Sequence, residues 1–283
     1  MECRKLSEEE TAEWLDMDEV PFDESPLKGR MDANLYDLIA SICDFAASDF
    51  FDAMHKVIGE NPAEHARGMR NETFAALQKR AYEHAVACGD ANSCCDLANM
   101  YHDTDNLGAK EDYATAIELY ELGASRGEPQ SSVNLGYIYY YGRGVERDYS
   151  QAYKCFARAA LLTDHPEALW KLGDLYASGK GVAQSDRVAW SLYVKAYENA
   201  GDSPMRCRAA HHVADYLLKG IDGFLEPNPD GALALYNEAE IGYYAAIDTG
   251  LDYYERQLKQ VIEGQLKARI AVQAKHRRIR AGK

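Results

Sequence analysis

The chain has 283 residues, 47% of them hydrophobic, and a net charge of −15, so it carries ample apolar material for a buried core. The charge is uneven: residues 267–283 hold seven Lys or Arg and no acid, leaving residues 1–266 with 24 basic against 46 acidic groups, a net of −22. So acidic a body repels nucleic acid phosphates and anionic membrane surfaces, and favours basic peptides or proteins as partners.

No apolar run approaches the ~18 residues that a membrane span requires. The first residues, with Glu8, Glu9, Glu10 and Glu13, lack the basic-then-apolar order of a secretion signal. Seven cysteines at irregular spacing argue against a disulfide framework and for a reducing cytoplasm.

Residues 1–30 read as an acidic arm, with ten acids against two basic residues through Ser25. Ser7 and Glu10 are spaced as a capping box for a short helix through Met17. Residues 31–70 place Leu35, Leu38, Ile39, Ile42, Phe45, Met54 and Val57 on one or two amphipathic helices. These predict a helical N-terminal cap over the next element, because terminal repeats need a different outer face.

Residues 71–250 repeat. Val133–Ala160 and Leu169–Tyr197 align on Leu135-Gly136 and Leu172-Gly173, 37 residues apart. Weaker copies keep register: Leu97-Ala98 lies 38 residues before Leu135-Gly136, and Val213-Ala214 lies 41 after Leu172-Gly173. The second half of each unit aligns on Ala116, Ala152, Ala189 and Ala232, then on Tyr120, Phe156, Tyr193 and Tyr236. A lone second half, Tyr82-Glu83-His84-Ala85, precedes them. A period of this length predicts an all-α solenoid of about four and a half helix-turn-helix units.

Each repeated position has a physical reading. Gly136 and Gly173 let the paired helix approach closely. Gly142/Gly144 and Gly179/Gly181 stand where the first helix must stop, and glycine accepts the left-handed conformation that ends helices. Four residues before each small alanine stand Asp112, Asp148, Ser185 and Asn228, all good N-cap residues, and Pro229 fits the first helical position after the last of them. Residues 251–283 predict a C-terminal capping helix from about Leu251 to Arg280, carrying Tyr254, Leu258, Val261, Leu266 and Ile270, with a basic tail.

The tail, from Lys267, fits a solvated helix end whose cations complement the helix dipole. It also fits docking on the acidic body of the same or a neighbouring molecule, which would make the terminal helices a route to self-association. A nucleic-acid arm is the third reading, opposed by the net −22 of the body.

His84, Cys88, Cys94, Cys95 and His102 cluster in sequence but match no zinc spacing, and Cys94 and Cys95 stand where the next copy has Ser132 and Val133. Packing residues are expected there, and neither metal nor cofactor is called for. His211 and His212 are adjacent on one helix, so their side chains are expected to face apart, with Asp215 one turn on. No G-x-S-x-G elbow, H-E-x-x-H or G-x-x-x-x-G-K occurs, and no nucleophile–base set converges, so an enzyme is not expected.

Leu-Gly, Tyr, Gly-Arg-Gly-Val, Asp and the trailing Ala-Ala resemble the Sel-one-like repeat, a relative of the tetratricopeptide repeat. The resemblance is sharp over residues 131–197 and looser over 71–130 and 203–246. It implies antiparallel helix pairs wound into a right-handed superhelix and an adaptor role in protein complexes. Some secreted members are implied to bind or hydrolyse β-lactams, with a cysteine bridged to one eight residues later. The corresponding pairs here are Val86/Cys94 and Ala124/Ser132, so the bridges are missing and the likeness is to the cytosolic branch.

In such a superhelix the first helices line the concave wall. By similarity to the peptide grooves of related repeats, the partner-binding residues are expected to be Asn99, His102, Tyr137, Tyr140, Trp170, Asp174, His211 and Asp215. Cys95, Val133, Ala177 and Leu218 on the same face are expected to pack against adjacent repeats. The expected function is a scaffold that holds a basic or amphipathic protein segment.

Overall fold

The computed structural model describes residues 79, 82–83, 85–87, 89–102 and 112–280. The acidic arm (1–30) and the N-terminal cap helices (31–70) expected from the sequence lie outside them, as do His84 and Cys88. Among the described residues the chain is an all-α solenoid of helix hairpins. The hairpins are α1 (Asn92–His102) with α2 (Tyr113–Ser125), α3 (Pro129–Tyr141) with α4 (Tyr149–Thr163), α5 (Pro166–Ser178) with α6 (Asp186–Asn199), and α7 (Met205–Lys219) with α8 (Pro229–Asp248). A 3₁₀ turn, Asp252–Tyr254, leads into α9 (Glu255–Arg280). No helix among the described residues is long and apolar enough to cross a membrane.

The chain divides into two compact units. One holds residues up to Leu135 together with Arg143–Glu146, and the other holds Gly136–Gly142 and Arg147–Lys283. Helices α1 and α2 belong to the first; α4 to α9 belong to the second.

Every hairpin is closed by the same local device. The predicted N-cap side chains all accept from the helix they open: Asp112 from the Thr115 amide (3.1 Å), Asp148 from Ser150 and Gln151 (2.8 and 3.0 Å), Ser185 from Val188 (3.3 Å) and Asn228 from Gly231 (3.1 Å). Each bond satisfies an amide that the first helical turn leaves without an intrahelical partner. The backbone N–H of each cap also reaches back to a carbonyl near the end of the first helix. Asp112 donates to Tyr101 (3.1 Å), Asp148 to Tyr139 (3.0 Å), Ser185 to Tyr176 (2.9 Å) and Asn228 to Leu217 (2.7 Å). One position in each repeat thus starts the second helix and ties it to the first.

The glycines act as expected from their positions. Gly142, Gly144, Gly179 and Gly181 all take positive φ, between 67° and 72°. A side chain at Gly144 would strike Tyr113, and one at Gly181 would strike the Tyr149 backbone.

Within the hairpins, the close approach is the seat of an aromatic ring. A Cβ at Gly136 would lie 2.7 Å from the Phe156 ring, and one at Gly173 would lie 2.6 Å from the Tyr193 ring. Phe156, Tyr120, Tyr193 and Tyr236 are all essentially inaccessible, so each contributes a full aromatic side chain to burial. The small alanines beside them (Ala116, Ala152, Ala189, Ala232) are completely buried and let the helices meet. Ahead of α1, Tyr82 and Ala85 are buried against Leu97, as the lone second half predicts.

The C-terminal helix begins at Glu255, a few residues later than predicted, and only part of its expected apolar set is buried. Tyr254, Leu258, Val261 and Ala268 pack into the core with α7 and α8, while Leu266 (62% exposed) and Ile270 (60% exposed) face outward. The reason is register. Gly264 is seated against the Tyr236 ring, which turns residues 258, 261, 265 and 268 inward and leaves 266 and 270 on the far side. The basic tail is helical to Arg280, and Lys275 pairs with Asp230 in the first turn of α8. That is docking on the same molecule, by one cation of the tail.

Gly173→Ala gains about 1 kcal/mol of helix propensity but drives a methyl into the Tyr193 ring, which costs about 1–3 kcal/mol. The net expected outcome is a lower denaturation midpoint, read by urea titration. Asp148→Ala, which removes a cap and touches no core residue, is expected to cost about 1 kcal/mol in the same measurement.

Candidate functional site

The faces to examine belong to the first helices α1, α3, α5 and α7. In the first unit, Asn99 on α1 is half-buried and accepts from the Tyr120 hydroxyl (2.6 Å) and from Asn134 Nδ2 (3.0 Å). His102, one turn on, lies 3.1 Å from an Arg143 guanidinium nitrogen and meets the Tyr113 ring edge-on at 5.4 Å. Both residues therefore hold neighbouring elements while keeping part of their surface open.

The second unit repeats the Asn99 pattern with acids. Asp174 accepts from the Tyr193 hydroxyl (2.8 Å) and Asp215 from the Tyr236 hydroxyl (2.6 Å). Phe156 has no hydroxyl to donate, and its first-helix counterpart is Tyr137, whose ring meets it edge-on at 5.4 Å. The first-helix position thus changes with the second-helix aromatic: Asn or Asp with Tyr, and Tyr with Phe. That pairing is visible in the sequence as the couples 99/120, 137/156, 174/193 and 215/236, and cap and glycine positions alone do not point to it.

Tyr137, Tyr140 and Trp170 form an aromatic row across α3 and α5, and all three are half-buried. The Tyr137 hydroxyl donates to Glu167 (2.7 Å), and burial, then the Glu167 charge, push its pKa above the ordinary tyrosine range. Tyr140 meets Tyr149 at 5.2 Å and accepts from Lys180 Nζ at 3.3 Å. Between them lies Lys171, which sequence reasoning missed. Its ammonium sits 4.3 Å from the Trp170 ring, 4.8 Å from Tyr140 and 5.4 Å from Tyr137, and it donates to Asp174 at 3.2 Å. Lysine is almost never buried unless paired; here three rings and a carboxylate supply the pairing.

Two further residues escaped the sequence reading. Arg208 on α7 lies over the Trp170 ring (5.0 Å) and over the Tyr254 ring (4.9 Å). His212 stacks on Tyr193 at 4.5 Å and lies 3.8 Å from Asp174. The signal for Arg208 was its place one turn before His212 on the same helix; nothing in the local sequence showed that Trp170 and Tyr254 would meet it.

His211 is placed differently from expectation. It is 6% exposed, with Nδ1 3.4 Å from the Tyr243 hydroxyl, because the packed face of α7 runs through Cys207, Ala210, His211 and Ala214. His212 supplies the partly open histidine instead. Nor do the two rings face apart: they stack at 5.5 Å and 15°, since His212 bends back onto Tyr193. Burial lowers the His211 pKa to about 4, against an opposing pull from Asp215. Of the cysteines, Cys94, Cys95, Cys155 and Cys207 are buried and none of these four is in a disulfide. Val133 and Cys95 are buried as expected of packing residues.

The same hairpins are recognised by comparison. The Sel1 repeat matches at residues 91–128, 129–164, 166–200 and 207–240, just over half of the chain. The chain belongs to the Sel1-repeat family. It is 28% identical over 192 residues to chitin synthase regulatory factor 3 of Schizosaccharomyces pombe, covering 67% of this chain and 20% of that protein. It is 31% identical over 119 residues to protein sel-1 homolog 2 of Rattus norvegicus, covering 40% of this chain and 17% of that one. The chain thus spans about a fifth of the length of these relatives. A Sel1 repeat protein from Oxalobacter formigenes shares the fold, with a TM-score of 0.51 at 20% identity over 69% of this chain and 81% of that one.

Each Sel1 repeat here contributes one first helix, and the exposed chemistry differs from repeat to repeat. Repeat two offers tyrosines, repeat three Trp170 and Asp174 over the buried Lys171, and repeat four Arg208, His212 and Asp215.

The His211 shift has a consequence for stability. Its folded pKa, about 4, is below the unfolded value of 6.5, so the unfolded state binds the proton first. The contribution is fully present above pH 6.5 and is lost as pH falls towards about 4. It amounts to something on the order of 3 kcal/mol at most. Urea midpoints measured at pH 7.5, 5.5 and 4.5 are expected to fall more steeply for the wild type than for His211→Gln. Parallel curves would show that His211 does not titrate in this window.

Proposed function

We propose that this Sel1-repeat protein is a non-enzymatic adaptor that holds segments of other proteins on the first-helix faces within its units. Each unit taken by itself, the face residues are Asn99 and His102 in the first, and Tyr137, Tyr140, Trp170, Asp174 and Asp215 in the second. His211 supports that face from beneath. The observation that carries the reading is the half-buried aromatic row Tyr137–Tyr140–Trp170, bordered by Lys171, Arg208 and His212. Partly exposed aromatic and arginine side chains are the usual anchors of protein interfaces, since they bury much area at small entropic cost.

The chemistry fits binding better than turnover. The cysteines described are buried, with Cys95 held up to about 12 and Cys207 up to about 11, chiefly by desolvation, so they are poor nucleophiles. Regulatory names among the relatives, such as chitin synthase regulatory factor 3, fit a protein that acts through other proteins. Buried cysteines outside any disulfide, as the four described are, suit a reducing compartment such as the cytoplasm.

The partner is best matched by an amphipathic segment, basic overall. The net charge of −15 attracts cations over distance, while the aromatic row takes apolar side chains on contact. Affinity purification from native extract with the wild type and with Trp170→Ala tests the reading. A discrete set of proteins is expected to be lost from the variant, with Tyr137→Ala losing the same set and both variants retaining a cooperative thermal transition. Identical capture by folded variants would overturn it.

A further inference from the structure

We infer that Arg208 is the docking point for an acidic side chain, Asp or Glu, of the protein segment held by the second unit; the inference rests on the function proposed above. The starting observation is a contrast among the cations of α5 and α7. Lys171 has Asp174 at 3.2 Å, Arg206 has Glu238 at 2.6 Å, and Lys219 has Asp186 at 3.2 Å. Arg208 has no carboxylate within ion-pair distance among the described residues. Its one side-chain hydrogen bond among the described residues is to the Met205 thioether, Sδ, at 3.7 Å, a weak acceptor.

Yet Arg208 is not a freely solvated side chain. It is half-buried, over the Trp170 and Tyr254 rings at 5.0 and 4.9 Å. Tyr254 is itself buried, and Trp170 is pinned by Lys171 on the same ring at 4.3 Å. Aromatic faces stabilise the charge but offer no lone pair, so they fix the guanidinium without satisfying its five N–H donors. A positioned guanidinium with its donors unspent is the preorganised half of a charge-assisted hydrogen bond. On the ring that Arg208 covers, the Trp170 indole N–H is also shut from solvent and has no acceptor among the described residues.

The neighbouring acids say which anion fits. Glu167, whose charge acts on Arg208, is engaged by the Tyr137 hydroxyl at 2.7 Å, and Asp174 by Lys171 and Tyr193. They supply no acceptor to Arg208, but their charges oppose a phosphate dianion more strongly than a singly charged carboxylate. The overall charge of −15 likewise disfavours a run of acids. What fits is one Asp or Glu within an otherwise apolar or basic segment.

The test uses the full chain, immobilised, and capped twelve-residue peptide pools. Each pool has one fixed central residue, Glu, Gln or Lys, flanked by randomised Leu, Phe, Tyr, Ala and Lys positions. The wild type is expected to retain the Glu pool about tenfold or more above the Gln pool, the range of a hydrogen bond to a charged group. Arg208→Gln is expected to abolish that preference with its thermal transition retained, and Arg208→Lys to keep part of it. Equal retention of the Glu and Gln pools, or preference for Lys, overturns the inference and leaves the adaptor reading standing. Retention of no pool by the wild type counts against the peptide-binding face itself, and the inference falls with it.

Discussion

The fold depends on the aromatic ring that each second helix buries, seated in the second and third hairpins on a glycine of the first helix. In the second and third hairpins the small residue is Gly136 or Gly173, and the ring lies where a side chain would have been. The ring brings the two axes together and removes a large apolar surface from water. Its hydroxyl, where it has one, then reaches the first-helix position one residue after the small one and accepts no substitute lacking a lone pair. Asn99, Asp174 and Asp215 fill that position in three hairpins, and Tyr137 meets Phe156 in the other.

This staple has a cost for function, because it draws on residues of the very face that would meet a partner. Asp174 serves Tyr193, Lys171 and His212 together, so little of its charge is free for an incoming cation. The face in the second unit is therefore less acidic than the whole chain. Its exposed character comes from rings and from cations resting on rings.

How much of this was legible in the sequence depends on the distance over which each interaction acts. Asp112, Asp148, Ser185 and Asn228 were readable as caps because a cap bonds to an amide two or three residues away. The glycine doublets were readable because positive φ is a property of one residue. The proposed face was only partly legible. Trp170 and Tyr140 were expected on it from helical spacing, but Lys171 was passed over, since a lysine at such a position ordinarily points to solvent. His211 was placed on the open face when the packing of α8 claims it, and Leu266 and Ile270 were assigned inward when the Gly264 contact turns them out.

The sequence by itself determined the repeat, the hairpin boundaries and the turns, since all of these act within one repeat and recur with its period. Only the tertiary structure decided which histidine is buried, which face of the last helix is left open, and that Arg208 lies over Trp170 and Tyr254 with no carboxylate in ion-pair distance among the described residues. Those outcomes depend on where side chains from different hairpins point once the helices have packed. A periodic pattern sets the positions of the helices; the non-repeating residues that meet across them set the chemistry of the surface.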